Sequence, residues 1–299
     1  MQTENNLPPL TKPAAGRITF LDGQNEMPML EVITPWSTAE IYLHGAHVTQ
    51  FKKNNDAPML FMSQCSRFAD NQPIRGGIPI IFPWFGMREG LGQHGFARIK
   101  RWDLKEFVPQ ADGSVSIRLR LPDCPEASAF PPFTADCIIT VKDTLGLRLE
   151  VTNQSQEDPL VFENCFHTYF AVGHVTDISI SGLEGAEYLD KVANFARARE
   201  TRREIRIASE VDRIYLNTTA PVEIIDPRLS RRLRIEKAGS ASTVVWNPWV
   251  TKAQQMPDFG NDEYLQMVCV ESGNVSANQI TLKPGESSAL SITLSSLPL

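Results

Sequence analysis

Apolar and polar side chains alternate along residues 114–121, and this alternation limits the possible folds more than any other feature of the chain. Val115, Ile117 and Leu119 fall on one side of an extended segment, while Ser116 and Arg118 fall on the other. A period of two residues is typical of a β-strand with one buried face. The same rule predicts further strands at residues 39–43, 47–51, 137–141, 145–151, 178–180, 222–225, 233–235, 243–245, 267–270 and 290–294.

Gly, Pro, Asn or Asp separates most of these segments, and no amphipathic helical pattern alternates with them. This arrangement predicts an all-β fold: a large antiparallel β-sandwich or barrel with a few short helices, including helical turns within 254–266. Residues 44–46 read as a tight turn. An apolar content of 42% in 299 residues suffices for a sizeable core. No repeat or linker marks a boundary, so we predict a flexible arm over residues 1–16 and a single β domain over 17–299.

The formal net charge of −6 argues against nucleic acid as a partner, because nucleic-acid-binding proteins carry a basic surface. Five scattered cysteines with no Cys-x-x-Cys pair predict neither a disulfide framework nor a zinc finger. The sequence contains no apolar stretch long enough to cross a membrane and no signal-peptide pattern at its start. A cytoplasmic protein with reduced thiols is therefore predicted. Nothing in the sequence indicates an obligate dimer, so we expect a monomer.

Residues 75–98 form a stretch rich in Gly and Pro that carries the most distinctive chemistry of the chain. Pro disfavours a central strand and Gly permits close backbone approach, so a shaped loop is predicted here. Arg75 and Arg98 bring two permanent charges that suit a carboxylate or phosphate. The alternative is that each arginine pairs with an acidic neighbour. The apolar residues that should pin this loop to the core are Ile80, Ile81, Phe82 and Phe85.

His167 and Glu271 are the leading candidates for acid–base chemistry. His167 lies in a mostly apolar segment, where burial would tune its titration, although a core histidine with a structural role is the alternative. Glu271 ends the apolar segment 267–270, and a Glu is rarely buried without a partner. A loop-capping role is the alternative for Glu271. Structural roles are predicted for the histidines outside the loop, namely His44, His47 and His174.

Three further features stay open at this stage. Asp212 could pair with the adjacent Arg213. Trp246 and Trp249 offer flat aromatic surface that suits the apolar face of a sugar, but both could equally belong to the core. The arginine-rich residues 197–206 are predicted to form a charged edge strand, because charged edges deter pairing between sheets.

Read together, six segments resemble the aldose 1-epimerase (mutarotase) superfamily, in its branch that acts on hexose 6-phosphates. The segments occur in the order of that family and are 73–79, 93–98, 167–170, 212–215, 246–249 and 269–271. Each segment is short, but the six in order are highly specific. No catalytic position departs from the family pattern, while residues 121–132 read as a lineage-specific loop.

The resemblance implies a galactose mutarotase-like β-sandwich and assigns the site residue by residue. His167 and Glu271 would be the catalytic pair. The substrate would be contacted by Arg75, Gln93, His94, Arg98 and Asp212. The two arginines distinguish the hexose-phosphate branch from epimerases of free aldoses, in agreement with the anion expected from the loop.

The chemistry of anomer interconversion then suggests roles for the pair. The ring must open, turn about the C1–C2 bond and close again, so a base takes the proton of O1 while an acid protonates the ring oxygen. We expect Glu271 to be the base and His167 the acid, with no cofactor and no metal. Two rival functions remain: a sugar-phosphate-binding protein without catalysis, and an epimerase of free aldoses, in which Arg75 and Arg98 would have no role at the substrate.

Overall fold

The structure is a computed structural model that describes residues 15–299. Most of the predicted N-terminal arm, residues 1–14, therefore lies outside the described residues. Within the described range the all-β prediction is confirmed. The strands are β1 (Arg17–Asp22), β2 (Pro28–Ile33), β3 (Ser37–Tyr42), β4 (His47–Lys53), β5 (Ile80–Ile81), β6 (Met87–Arg88), β7 (Gly92–Gln93), β8 (Asp103–Pro109), β9 (Val115–Arg120), β10 (Phe133–Val141), β11 (Leu145–Asn153), β12 (Leu160–Phe162), β13 (Asn164–Phe166), β14 (Tyr169–Ala171), β15 (Ser179–Ser181), β16 (Glu187–Asp190), β17 (Ala196–Arg199), β18 (Glu204–Ile205), β19 (Val211–Leu216), β20 (Val222–Asp226), β21 (Arg231–Ala238), β22 (Ser242–Asn247), β23 (Met267–Asn274), β24 (Ile280–Leu282) and β25 (Ser287–Pro298).

Helices are few and short. The α-helix α1 (Trp249–Ala253) follows β22, and the helical turn predicted within 254–266 is found at Glu263–Gln266. The described chain also contains the 3-10 helices Gln24–Glu26, Ala97–Ile99, Pro125–Ala129 and Ser276–Asn278. Among the described residues no helix is long and apolar enough to cross a bilayer.

Two large antiparallel sheets form the body of the fold. One has nine strands in the order β18-β15-β20-β21-β25-β11-β10-β9-β8, and the other has the order β17-β16-β19-β22-β23-β13-β5, with β14 paired to β23. Strands β1 to β4 form a further four-stranded sheet. Buried side chains from both large sheets, such as Leu147 and Ile292 on one and Val245 and Val270 on the other, belong to one hydrophobic cluster. The predicted sandwich is thereby confirmed.

The alternation seen in the sequence is confirmed in strands β9 and β11, whereas β22 and β23 are buried along their whole length. In β9, the side chains of Val115, Ile117 and Leu119 are fully buried. Arg120 points outward, and its Nε and Nη2 donate to Oδ1 and Oδ2 of Asp136 on β10, both at 2.7 Å. The turn predicted at 44–46 joins β3 to β4. The arginine-rich stretch is split between two strands rather than one, and β17 and β18 each lie at the edge of a different large sheet.

The same period of two residues directs side chains of β23 to opposite faces. Val268 and Val270 point into the core between the sheets, whereas Cys269 and Glu271 point to the outer face of the eight-stranded sheet. On the paired strand β22, Val244 lies opposite Glu271. An acidic side chain in the middle of a sheet is thus kept out of the main core, and it faces a cavity.

Candidate active site

A cavity of about 190 Å³ opens on the outer face of the eight-stranded sheet. Charged and aromatic side chains from strands and loops that are distant in sequence converge on it. Its lining consists of Arg75, Phe85, Gln93, His94, His167, Tyr169, Lys191, Asp212, Val244, Trp246, Lys252, Met256 and Glu271. Six of the seven predicted site residues are therefore brought together, and Arg98 is the exception.

His167 and Glu271 are in direct contact at the base of the cavity. Nε2 of His167 lies 3.2 Å from Oε1 of Glu271, and both side chains are buried. His167 lies between β13 and β14, and its backbone N–H donates to the carbonyl of Pro79 at 3.0 Å. Its ring stacks on Tyr169, with 4.9 Å between centroids, and meets the edge of Trp246 at 6.0 Å. The pair is fixed by packing in a place that excludes most water.

Burial shifts the pKa values of Glu271 and His167 in opposite directions. The pKa of Glu271 is raised well above 4.5 because the carboxylate is desolvated and because Asp212 adds a negative charge nearby. The pKa of His167 is lowered well below 6.5 by desolvation, and next by the positive charge of Arg75. Because the groups touch, they titrate as a pair. These directions favour a pair that holds one proton, with a neutral imidazole against a protonated carboxyl.

Arg75 both lines the cavity and forms an ion pair. Its Nε and Nη2 donate to Oδ2 of Asp258 at 3.2 and 3.1 Å, and its Nη1 donates to the hydroxyl of Tyr169 at 2.9 Å. The pairing considered as an alternative from the sequence is thus real, but it does not remove Arg75 from the site. It holds the guanidinium against the wall of the cavity.

His94 enters the cavity from the Gly- and Pro-rich loop in a left-handed backbone conformation, with φ of +67°. Its Nδ1 accepts the N–H of Gly86 at 3.1 Å, and its own N–H donates to the carbonyl of Gly86 at 2.8 Å. Burial lowers the pKa of His94, and the charge of Arg98 adds to this, so the ring is neutral. The next residue must be Gly95, because a Cβ there would lie 2.0 Å from the carbonyl oxygen of Phe82.

Arg98 was expected at the substrate, but it does not line the cavity. Its Nη2 donates to the backbone carbonyl of Gln93 at 2.8 Å, and Gln93 does line the cavity. Burial lowers the pKa of Arg98 to about 10, and the charge of Arg75 contributes to this. Ile80, Ile81 and Phe82 anchor the loop in the core as predicted, and Phe85 packs against the cluster that contains Ile81 while also lining the cavity.

Asp212 on β19 is held by lysines rather than by the neighbouring Arg213. Nζ of Lys191 lies 2.9 Å from its Oδ2, and Nζ of Lys252 lies 3.9 Å away. Arg213 instead pairs with Asp190 at 3.1 Å. Both lysines line the cavity and were missed from the sequence, since lysines are common on exposed loops and neither lies in a diagnostic motif. Tyr169, in contrast, lies within the diagnostic segment 167–170, so its hydroxyl could have been recognised from the sequence as a candidate.

Of the two tryptophans in segment 246–249, only Trp246 lines the cavity, while Trp249 packs on Tyr264 with 5.3 Å between ring centroids. The segment is tied down by Asn247, whose side chain is fully buried. Its Nδ2 donates to the carbonyls of Tyr264 and Met267, both at 2.9 Å, and its Oδ1 accepts the N–H of Trp249 at 2.9 Å.

Asn247→Ala should lower the free energy of unfolding by about 2–3 kcal/mol, because it leaves buried backbone groups without partners. Denaturation in urea measures this change. The matched control is Asn54→Ala, which removes an exposed asparagine with one hydrogen bond to the carbonyl of Pro35 and should cost far less. Equal effects of the two substitutions would contradict the role given to Asn247.

The remaining histidines have structural contacts, as predicted. His44 lies 2.7 Å from the carbonyl of Gln72, and His174 lies 2.8 Å from Oγ1 of Thr176. Fully buried His47 lies 2.8 Å from the carbonyl of Gly76 and so helps to hold the loop next to Arg75. Burial lowers the pKa of His47 to about 3, and it remains neutral.

One cluster among the described residues could offer three ligands to a metal: donor atoms of His167, Cys269 and Glu271 lie within 4.8 Å of one another. Two observations speak against a metal centre. Nδ1 of His167 is buried without a hydrogen-bond partner, whereas a metal-bound histidine usually donates its second ring nitrogen. Burial also raises the pKa of the Cys269 thiol, whereas metal binding needs the thiolate. These residues do not fit a metal centre, and the absence of a cofactor stays a prediction.

Known proteins resemble this chain over most of its length. Residues 29–295 match the model of the aldose 1-epimerase family. The chain belongs to this family. It is 36% identical over 269 residues to a protein of Cenchrus ciliaris provisionally named glucose-6-phosphate 1-epimerase, covering 87% of this chain and 82% of that protein. An Escherichia coli protein with the same provisional name is 32% identical over 263 residues, covering 87% of each chain.

A solved structure supports the same relation. The crystal structure of a Salmonella typhimurium protein provisionally described as a mutarotase superposes with a TM-score of 0.85 and 26% identity, covering 94% of this chain and 97% of that one. The aldose 1-epimerase resemblance seen in six short segments therefore extends over almost the whole described fold.

Proposed function

We propose that this aldose 1-epimerase interconverts the α and β anomers of D-glucose 6-phosphate, and of related hexose 6-phosphates. The observation that carries the proposal is the buried contact between His167 and Glu271 at the base of a cavity that also presents Arg75, Lys191 and Lys252. The contact suits paired proton transfer, and the cations suit a phosphate. The names of the relatives support the same substrate.

The pair can run the reaction with the one proton it holds. A shift of the shared proton from Glu271 to His167 across their 3.2 Å contact gives the reactive form of the pair. In the closed sugar, Glu271 as carboxylate then takes the proton of O1 while His167 as imidazolium gives its proton to the ring oxygen. The bond between C1 and the ring oxygen breaks and a carbonyl forms at C1. After rotation about C1–C2, both protons return and the ring closes. Burial favours the neutral form of the pair, which is the form left after ring opening, so the open-chain stage is stabilised.

Three cationic side chains line the cavity of a chain whose overall charge is −6, and each of them is held by a carboxylate. Arg75, Lys191 and Lys252 are the lining cations, and Asp212 and Glu271 are the lining carboxyl groups. We propose that Arg75 and the two lysines attract the phosphoryl group, while Arg98 supports Gln93 and His94 from outside the cavity. Asp212 and Gln93 would bind sugar hydroxyls.

Magnetisation-exchange NMR tests the function directly. The protein should accelerate exchange between the anomers of glucose 6-phosphate strongly and those of glucose weakly, at equal concentrations. Equal acceleration of both sugars would favour an epimerase of free aldoses. Binding of glucose 6-phosphate without faster exchange would favour a sugar-phosphate-binding protein without catalysis. A cytoplasmic location and a monomeric state stay predictions.

Lys191→Gln tests the cationic part of the proposal. Loss of a charged partner should lower kcat/KM for glucose 6-phosphate by about tenfold, and lower kcat/KM for glucose less. Steady-state kinetics with both sugars give the ratio. Lys105→Gln is the control, because Lys105 is exposed and pairs with Asp103 away from the cavity. If kcat/KM falls by the same factor for both sugars, Lys191 serves only to hold Asp212.

A further inference from the structure

A second cysteine, Cys165 on β13, lies against the carboxyl of Glu271 on its side away from the contact with His167. The Sγ of Cys165 donates to Oε2 of Glu271 at 3.5 Å, while Oε1 faces His167. Within residues 15–299 this is the one hydrogen bond that the Glu271 side chain accepts. Burial raises the pKa of the Cys165 thiol, so it remains protonated and can donate.

The backbone is arranged to allow this contact. Strand β13 pairs with β23 so that Cys165 lies opposite Gly273, two residues beyond Glu271 on the same face. A Cβ at Gly273 would lie 2.8 Å from Cβ of Cys165 and 2.4 Å from the carbonyl oxygen of Asn164. Only a residue without a side chain lets the strands approach at this point and brings the thiol next to the carboxyl.

We propose that Cys165 is a positioning residue for the epimerase reaction, whose thiol holds Oε2 of Glu271 so that Oε1 faces His167 and the substrate. The inference rests on the proposed function. Without the thiol, the carboxyl could turn away from His167, and the proton transfer that needs both groups would slow. The mechanism itself does not use Cys165, since its sulfur does not line the cavity.

The contact also sets the titration of the pair. A hydrogen bond to a carboxylate favours its charged form, so the thiol lowers the pKa of Glu271 against the stronger effect of burial. The resting pair carries its one proton on Glu271, so loss of that proton sets the alkaline limb of activity. Removing the thiol should raise the pKa of Glu271 further, and the alkaline limb should therefore move to higher pH. Other groups around Glu271 are retained in such a variant, namely Asp212, which raises its pKa, Lys191, which lowers it, and His167 and Cys269.

The test compares Cys165→Ala, Cys165→Ser and Cys137→Ala over a range of pH. Cys137 is a fully buried thiol of the nine-stranded sheet and controls for the loss of a buried sulfur. In Cys165→Ala, kcat should fall about threefold to tenfold with little change in KM, and the alkaline limb should shift upward. Cys165→Ser should recover part of both effects because the hydroxyl can donate. Cys137→Ala should change neither.

An unchanged alkaline limb in Cys165→Ala would overturn the proposal, as would a fall in kcat without any recovery in Cys165→Ser. NMR titration of carbon-13-labelled Glu271 in the protein without substrate is the second measurement. A rise of the Glu271 pKa in Cys165→Ala supports the contact even if wild-type protein fails to act on glucose 6-phosphate. An unchanged Glu271 pKa in Cys165→Ala would refute the contact, whatever the activity of the variant.

Discussion

Replacement of Glu271 by Gln should slow anomer interconversion of glucose 6-phosphate by about 10²–10⁴-fold, because one partner of the paired proton transfer is lost. Binding of the sugar phosphate should persist, since Gln has nearly the same shape and the lining cations are intact. Exchange NMR measures the rate, and calorimetry measures the binding. Near-normal exchange would show that Glu271 is not the base.

The same substitution should stabilise the fold at neutral pH. The pKa of Glu271 in the folded protein is raised above its ordinary value of 4.5, so folding opposes ionisation. The free energy of unfolding therefore falls as the pH rises from about 4.5 towards the pKa of Glu271 in the folded protein. Above that folded-state pKa the full cost of burying the carboxylate applies. Glu271→Gln removes this cost and should raise Tm by up to about 4 °C. Glu210→Gln is the control, since Glu210 pairs with Lys252 beside the cavity but is more exposed.

Arg75→Met should raise KM for glucose 6-phosphate by about 10–100-fold, since the proposed charged hydrogen-bonding partner of the phosphate is removed. For glucose the loss should be smaller, because glucose carries no phosphate. Competition between the two sugars in exchange NMR measures both affinities. Arg75→Lys should recover only part of the binding, because an ammonium group lacks the planar fork of the guanidinium.

A control must separate the phosphate from the ion pair, because Arg75→Met also leaves Asp258 without its partner. Asp258→Asn keeps the guanidinium and its hydrogen bond to Tyr169, and removes only the opposing charge. This variant should bind glucose 6-phosphate as well as the wild type or better. If Asp258→Asn weakens binding as much as Arg75→Met does, Arg75 acts through the wall of the cavity and not on the phosphate.

The strands could be predicted from the sequence because their alternation comes directly from burial of one face. Val115, Ile117 and Leu119 must be covered, and in β9 they are. The proposed catalytic pair could be singled out because His167 and Glu271 are ionisable groups inside apolar segments. That they touch could not be deduced from their spacing of about a hundred residues, since it depends on the pairing of β13 and β14 with β23.

Other parts of the site could not be predicted because they depend on packing between distant loops. Lys191 and Lys252 reach Asp212 from different segments, and Asp258 reaches Arg75 from a third. Arg98 lies in a diagnostic motif, yet its guanidinium turns to the carbonyl of Gln93. A motif indicates that a side chain matters, but the direction in which it points is decided by the folded backbone.

In the proposed mechanism, the buried contact between His167 and Glu271 makes the catalytic cycle closed with respect to protons. Each ring opening moves one proton onto the carboxyl and one off the imidazole, and each closure reverses both transfers. The enzyme is therefore ready for the next sugar as soon as the product leaves, with no recharging step from the solvent. A site of this kind needs no proton path to bulk water, and its walls are free to be shaped by the sugar and its phosphate alone.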